Sequence, residues 1–295
     1  MSAPVFYILD VFTDKKYTGN QLAVFRHPEN LSDSDMQNLA REMNYSETTF
    51  ILSEQVRDGG YDVRIFTPES ELPFAGHPTL GTAYVIQREI IGKKVEEVKL
   101  NLKVGQIPVK FSYGGDVPGE LWMHQLPPKF GQTFAKELLS RVLNLDTSDI
   151  DDRFPIQEVS TGTPFILVPI KSLTAVRKAV LNRELYFDLV SKTESKAVFF
   201  FAPETYSPEN QLNARLFADY LGVPEDPATG SANGCLAGYL ARHCFFGSDK
   251  VAVRVEQGYE INRPSLLKLR AHLNGDRIEI FVGGSVVMTA RGELV

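Results

Sequence analysis

Cysteine is nearly absent from this chain: two residues in 295, Cys235 and Cys244. Two thiols cannot build a disulfide scaffold, and both are expected as small apolar side chains in one packed helical region. That usage fits a reducing, cytoplasmic compartment. Runs of Lys or Arg are also missing, and the formal charge of -6 argues against a nucleic-acid or membrane-surface partner. No apolar run is long enough to span a bilayer. Met1-Ser2-Ala3-Pro4-Val5-Phe6 lacks the basic and apolar regions of a secretion signal. The five histidines (27, 77, 124, 243 and 272) include no H-x-x-x-H or Cys/His pair, so no metal is expected. Low-complexity segments are absent. With 43% hydrophobic and 23% charged residues, the chain has a globular balance and the length for two domains.

What is present centres on Glu225-Asp226-Pro227-Ala228-Thr229-Gly230-Ser231-Ala232-Asn233-Gly234. Small or apolar residues at 232, 235, 236, 239 and 240 predict a helix beginning near Gly230. Gly230, Ala232, Gly234, Ala237 and Gly238 stand where an exposed helix would carry Lys or Glu, so this helix is predicted to be packed on most sides. Its first turn, at Thr229, Gly230 and Ser231, offers free backbone N–H groups and the positive dipole end to a carboxylate or phosphate. Asp226 would stand at the rim of that site.

A second copy lies upstream. His77-Pro78-Thr79-Leu80-Gly81-Thr82-Ala83 aligns with Asp226-Pro227-Ala228-Thr229-Gly230-Ser231-Ala232. Each copy follows a strand-like segment, Val63-Arg64-Ile65-Phe66 and Ala214-Arg215-Leu216-Phe217. Further upstream, Gly19-Asn20-Gln21-Leu22 resembles Gly162-Thr163-Pro164-Phe165. Three matched segments in one order predict an internal duplication and two similar lobes. The glycine- and proline-rich segment 114–119 is the linker candidate, giving a first lobe over 1–117, a second over 118–283, and a terminal strand over 284–295. Ser32 with Asp35 predicts a helix start, with Met36, Leu39, Ala40 and Met43 facing inward. Helices are further predicted from His77 to about Arg88, from Thr133 to Leu145 and from Leu173 to Lys192.

Asp10-Val11-Phe12-Thr13 with Gly19-Asn20, Ser46-Glu47-Thr48-Thr49-Phe50, Phe74-Ala75-Gly76-His77-Pro78-Thr79-Leu80-Gly81 and Glu225 to Ala232 resemble, in order, the motifs of the PhzF-like phenazine-biosynthesis isomerases. The resemblance implies an α+β, diaminopimelate-epimerase-like fold: two similar lobes, each a mixed β-sheet curled around a central α-helix, with the active site in the interlobe cleft. It implies that the terminal strand crosses back to complete the first lobe. It also implies a cofactor-independent isomerase in which Glu47 is the general base and acid, moving a proton between two carbons of a conjugated substrate. His77 or Asp226 shuttles a proton or orients the substrate. Ser231, with Gly230 and Thr229, holds a carboxylate, and Gly76, Asn20 and Thr163 complete the binding set.

From the residues alone, Asp226 and Ser231 also read as helix caps, His77 as a cap or structural donor, and Asn20 and Thr163 as turn residues. Glu47 also reads as a solvated carboxylate at a loop edge. A small carboxylate-bearing substrate is the expected partner, and a homodimer is the default assembly because symmetric dimers are commonest. Two other classes stand beside this reading. One is a two-thiol racemase or epimerase, disfavoured because neither duplicated motif contains cysteine; the other is a non-catalytic binding protein of the same fold.

Overall fold

Two helices of this chain are buried almost throughout, and both are built mainly from small residues. The computed structural model describes residues 4–27 and 31–295. Residues 1–3, part of the segment searched for a secretion signal, lie outside the described residues. The chain divides into two compact units, one of residues 1–124 and 283–295 and one of residues 125–282.

The first unit opens with β1 (Val5–Val11) and β2 (Asn20–Arg26), a hairpin. Then come α1 (Asp33–Met43), β3 (Glu47–Ile51), β4 (Tyr61–Phe66), β5 (Glu71–Leu72) and α2 (Gly76–Val85). β6 (Glu97–Leu102), β7 (Gly105–Tyr113) and β8 (Pro118–Gln125) follow as an antiparallel run. The final strand of the chain, Val286–Glu293, pairs antiparallel with β1. Every residue of α2 is buried. Its Gly81 lets the strands approach closely, because a Cβ there would displace the Leu22 side chain and stand 3.1 Å from Val11. Helix α1 lies on the other face, where Met36 and Ala40 join Phe25, Phe50 and Phe66, with Leu39 and Met43 partly buried. The predicted cap is present: Ser32 and Asp35 form a reciprocal capping box.

The second unit contains β9 (Lys129–Phe134), α3 (Lys136–Val142), β10 (Ile156–Ser160) and β11 (Pro164–Pro169). It continues with α4 (Leu173–Lys178), α5 (Arg183–Ser191), β12 (Val198–Ala202) and β13 (Leu212–Phe217). It ends with α6 (Gly230–Arg242), β14 (Val251–Gln257), β15 (Ser265–Asn274) and β16 (Arg277–Gly284). All of α6 except Ser231 and Arg242 is buried. Helices α3, α4 and α5 cover a second core that includes Leu139, Ile166, Tyr186 and Phe200.

The duplication is legible strand by strand. From the terminal strand through β1, β2, β3, β4, β6 and β7, the pairings are antiparallel, antiparallel, parallel, antiparallel, parallel and antiparallel. From β9 through β10, β11, β12, β13, β14 and β15 they follow the same series. Register matches too: Phe50 faces Arg64 across β3 and β4, and Phe200 faces Arg215 across β12 and β13. One place in each series needs an extra strand beside the opening hairpin. β9 fills it in the second unit and the terminal strand in the first.

Three predicted helices change. The helix from Thr133 begins at Lys136, because Thr133 and Phe134 pair with Gln157 and Ile156 in β9. The helix from Leu173 to Lys192 is two, interrupted at 179–182. There the Val180 and Asn182 N–H groups donate to the Leu143 and Val142 carbonyls at 3.1 and 2.8 Å. Asn182 then caps α5 by accepting from the Leu185 N–H. The helix after His77 continues past Val85 as a wider turn to Ile91, with the Gly92 N–H reaching the Gln87 carbonyl at 2.9 Å. Cys235 is buried as expected, but Cys244 is exposed just beyond the last turn of α6.

Candidate active site

Glu47 is the first residue of β3 and His77 the second of α2. β3 runs parallel to β2 with Glu47 beside Leu22. Alternation turns Glu47 and Thr49 to one face, the face of α2, where the Thr49 and Thr82 hydroxyls meet at 2.8 Å. Glu47 Oε2 stands 3.4 Å from His77 Nε2, with side-chain exposures of 17% and 6%. Burial pushes the His77 ring down from its ordinary 6.5 to about 3, against an opposing hydrogen bond with the Gln21 backbone. A bond that favours the charged ring is one the ring donates, and Nε2 faces Glu47, so Nδ1 carries the hydrogen. The neutral ring therefore presents its Nε2 lone pair to the Glu47 carboxyl group.

A stability dependence on pH follows. The native ring stays neutral down to about pH 3, whereas the unfolded ring protonates near 6.5. As pH falls through this window the unfolded state takes up the proton and the native state does not, so stability falls by about 1 kcal/mol per pH unit. Urea unfolding from pH 7 to 4 is expected to show a flatter decline in His77→Gln than in the wild type. Parallel declines would contradict a buried neutral ring.

In the second unit the remaining residues gather at the head of α6. Thr229 is its N-cap, with Gly230 and Ser231 opening the first turn. Asp226 is buried, and its backbone N–H donates to the Leu216 carbonyl at 3.2 Å. The Thr229 hydroxyl donates to Asp226 Oδ2. Thr163 is exposed in the β10–β11 turn, and its carbonyl accepts a 3.7 Å contact from the Cys235 thiol on α6. Asn20, at the head of β2, and Gly76, which opens α2, are both buried in the first unit.

The buried amides Asn233 and Gln257 were not singled out from sequence. Gln257 bonds to both Asp226 and Thr229. Asn233 carried a readable signal, as a lone amide inside an otherwise small and apolar helical run. Gln257 carried none beyond its place at a strand end.

Register locates the counterparts of these residues. Three residues before Phe50 lies Glu47, and three before Phe200 lies Ala197, buried in the second unit. The duplicated architecture thus carries this carboxylate once. Burial pushes the Cys235 thiol up to about 12, so it holds its proton at neutral pH. Among the described residues, no three His, Cys, Asp or Glu side chains converge as metal ligands, and no helix is long and apolar enough to cross a membrane.

Two duplicated α+β units, each a mixed sheet with a buried central helix, define a fold that other proteins share. A probable proline racemase from Agrobacterium radiobacter shares it with a TM-score of 0.64 over 99% of this chain and 93% of that one; at 11% identity the likeness is of fold alone. The chain belongs to the phenazine biosynthesis-like protein family, PhzC-PhzF, which residues 9–292 match. A PhzF-family protein from Bacillus anthracis superposes with a TM-score of 0.90 at 26% identity, covering all of both chains. A protein of Clostridium acetobutylicum described as an uncharacterized isomerase is 33% identical over 98% of this chain and 97% of its own. The trans-2,3-dihydro-3-hydroxyanthranilate isomerase of Pseudomonas aeruginosa is 34% identical over 97% of this chain and 98% of its own. The protein is an isomerase of this family.

Proposed function

We propose that this isomerase moves a proton between two carbons of a small conjugated carboxylate, without a cofactor, using Glu47 as the one acid and base. The observation that carries the reading is the Glu47–His77 pair at 3.4 Å, backed by an imidazole held neutral. Glu47 as carboxylate takes a proton from an activated carbon, and the C–H electron pair enters the conjugated system. The acid so formed donates a hydrogen bond to His77 Nε2, which stabilises it until the proton is returned to a different carbon. A base partly withdrawn from water is suited to a weak carbon acid. Ser231 and the N–H groups around Gly230 hold the carboxylate of the substrate at the head of α6, where the helix dipole favours an anion. Asp226, three residues before the N-cap of α6, orients the substrate or passes a proton. Asn20, Gly76 and Thr163 contribute to binding.

The Pseudomonas relatives act on trans-2,3-dihydro-3-hydroxyanthranilate, as their names state, and this compound or a close analogue is the proposed substrate. Incubation of the protein with it, followed by mass-resolved chromatography, is expected to convert it to a product of unchanged mass. An unchanged starting compound would contradict this substrate assignment. A two-base racemase is the weaker reading, because Ala197 replaces Glu47 in the second copy and the Cys235 thiol is buried and protonated.

A further inference from the structure

Gln257 ends β14 and is fully buried, and its amide has all four hydrogen-bonding positions filled. Its Nε2 donates to the Asp226 carbonyl at 2.9 Å and to Thr229 Oγ1 at 3.1 Å. Its Oε1 accepts from the Thr229 N–H at 3.2 Å and from Asn233 Nδ2 at 2.9 Å. Asn233 Nδ2 also donates to the Thr229 carbonyl at 3.1 Å. The backbone N–H of Thr229 can only donate, so it fixes which end of the Gln257 amide is the oxygen. Nε2 must then face the Thr229 hydroxyl as a donor. That hydroxyl has one hydrogen, and an ionised Asp226 carboxylate can only accept. The direction of the chain is therefore determined: Gln257 donates to Thr229, and Thr229 donates to Asp226 Oδ2.

Close backbone contact reinforces the arrangement. Gly258, next after Gln257, has φ +79°, and a Cβ there would lie 2.6 Å from the Pro227 carbonyl oxygen, so only glycine fits. Charged groups on the adjoining segments are engaged elsewhere. Glu225 pairs with Arg215 at 2.8 Å, and Glu256 accepts from the Tyr206 and Ser207 N–H groups at 2.7 and 2.9 Å.

The duplication separates architecture from chemistry. Asn213 faces Glu256 and Asp62 faces Asn101 across the equivalent parallel pairs, which places Leu102 at the position of Gln257. Counting from the helix starts, Gly76 and Gly230, Thr79 takes the place of Asn233. The same fold thus stands without either amide in the first unit. We infer that Gln257 is a positioning residue that, through Thr229 and with Asn233, holds the Asp226 carboxylate in one orientation for the reaction. The inference rests on the proton-transfer reading given above.

The test combines kinetics with hydrogen exchange. With trans-2,3-dihydro-3-hydroxyanthranilate as substrate, Gln257→Leu and Thr229→Val are each expected to lower kcat at least tenfold, with KM changed less than threefold. Thr229→Ser is expected to recover most of the kcat lost in Thr229→Val, because it restores the hydroxyl. Gln257→Glu keeps the size but supplies no second donor, and is expected to resemble Gln257→Leu. The double variant Thr229→Val/Gln257→Leu should be no slower than Thr229→Val, since both break one chain. Wild-type kcat in Gln257→Glu, or multiplicative losses in the double variant, would overturn the proposal. If the wild-type protein does not turn over this compound, the substrate assignment fails, and exchange measured on the protein alone still decides the positioning role. In Gln257→Leu the segment 226–230 should exchange its amide hydrogens at least tenfold faster, with 234–242 unchanged. Unaltered exchange at 226–230 would overturn it.

Discussion

Glu47→Gln is expected to lower kcat for isomerisation by about 10³-fold, within the range that a positioned general base contributes. An amide fills the space of the carboxyl group but cannot take a proton from carbon. The fold should survive, because Glu47 is 17% exposed at the head of its strand and is not part of the core. Substrate affinity should change little, since carboxylate binding is assigned to the head of α6. The other unit holds no copy of this base: register places Ala197 at the equivalent position. Steady-state kinetics on folded Glu47→Gln protein checks this, with the thermal midpoint as control. A kcat within tenfold of wild type would remove Glu47 from the mechanism.

Arg215→Met is expected to have the largest effect on stability, a loss of about 3–5 kcal/mol, as found when one partner of a buried ion pair is removed. Arg215 is 8% exposed and makes a bidentate pair with Glu225 through Nε and Nη2, at 2.9 and 2.8 Å. Its Nη1 donates to the Val176 and Ala179 carbonyls at 2.9 and 3.0 Å, groups left over at the end of α4. Its guanidinium also lies 4.9 Å from the Phe217 ring. Methionine would fill the volume but leave Glu225 buried without its cation and the carbonyls without donors.

The first unit holds a natural comparison. Arg64, the counterpart of Arg215, pairs with Glu71 in the same bidentate way and stands 4.9 Å from the Phe66 ring. It is 21% exposed, its other partner Asp33 is 83% exposed, and Glu71 keeps Lys103 at 2.6 Å. Arg64→Met is therefore expected to cost about 1 kcal/mol. Urea unfolding of the two variants side by side measures the contrast. Equal losses would show that burial does not govern the strength of this duplicated clamp.

The legibility of this fold in its sequence follows the range of the forces involved. A helix buried on all sides must be narrow, so Gly76 to Ala83 and Gly230 to Gly238 announce α2 and α6 locally. Repetition of Pro, Gly and Ala at matched offsets then exposes the duplication, which the strand order repeats pairing for pairing. The break between α4 and α5 was hidden because its causes are distant. Carbonyls are satisfied by Arg215, thirty-odd residues downstream, and N–H groups by the end of α3. Apolar spacing runs through that break without interruption.

The candidate site divides in the same way. Glu47 was legible only through a family resemblance, since a lone carboxylate at a strand head ordinarily lies in solvent, whereas the repeated motif already marked His77. Their pairing at 3.4 Å and the neutral ring depend on the parallel β2–β3 register and on burial beneath α2. Gln257 and Asn233 act through hydrogen bonds spanning 24 to 31 residues, and a glutamine closing a strand gives no warning of that.

The central claim is that Glu47 meets the reacting carbon with His77 behind it. The most direct measurement is a crystal structure with a saturated, unreactive analogue of dihydro-hydroxyanthranilate bound. A Glu47 carboxylate oxygen is expected within about 3–3.5 Å of a ring carbon of the ligand, the separation at which proton transfer is poised. His77 Nε2 is expected on the far side of that carboxyl group. A ligand bound with Glu47 turned away from it, and another carboxylate or imidazole against the ring carbons, would remove Glu47 from the chemistry.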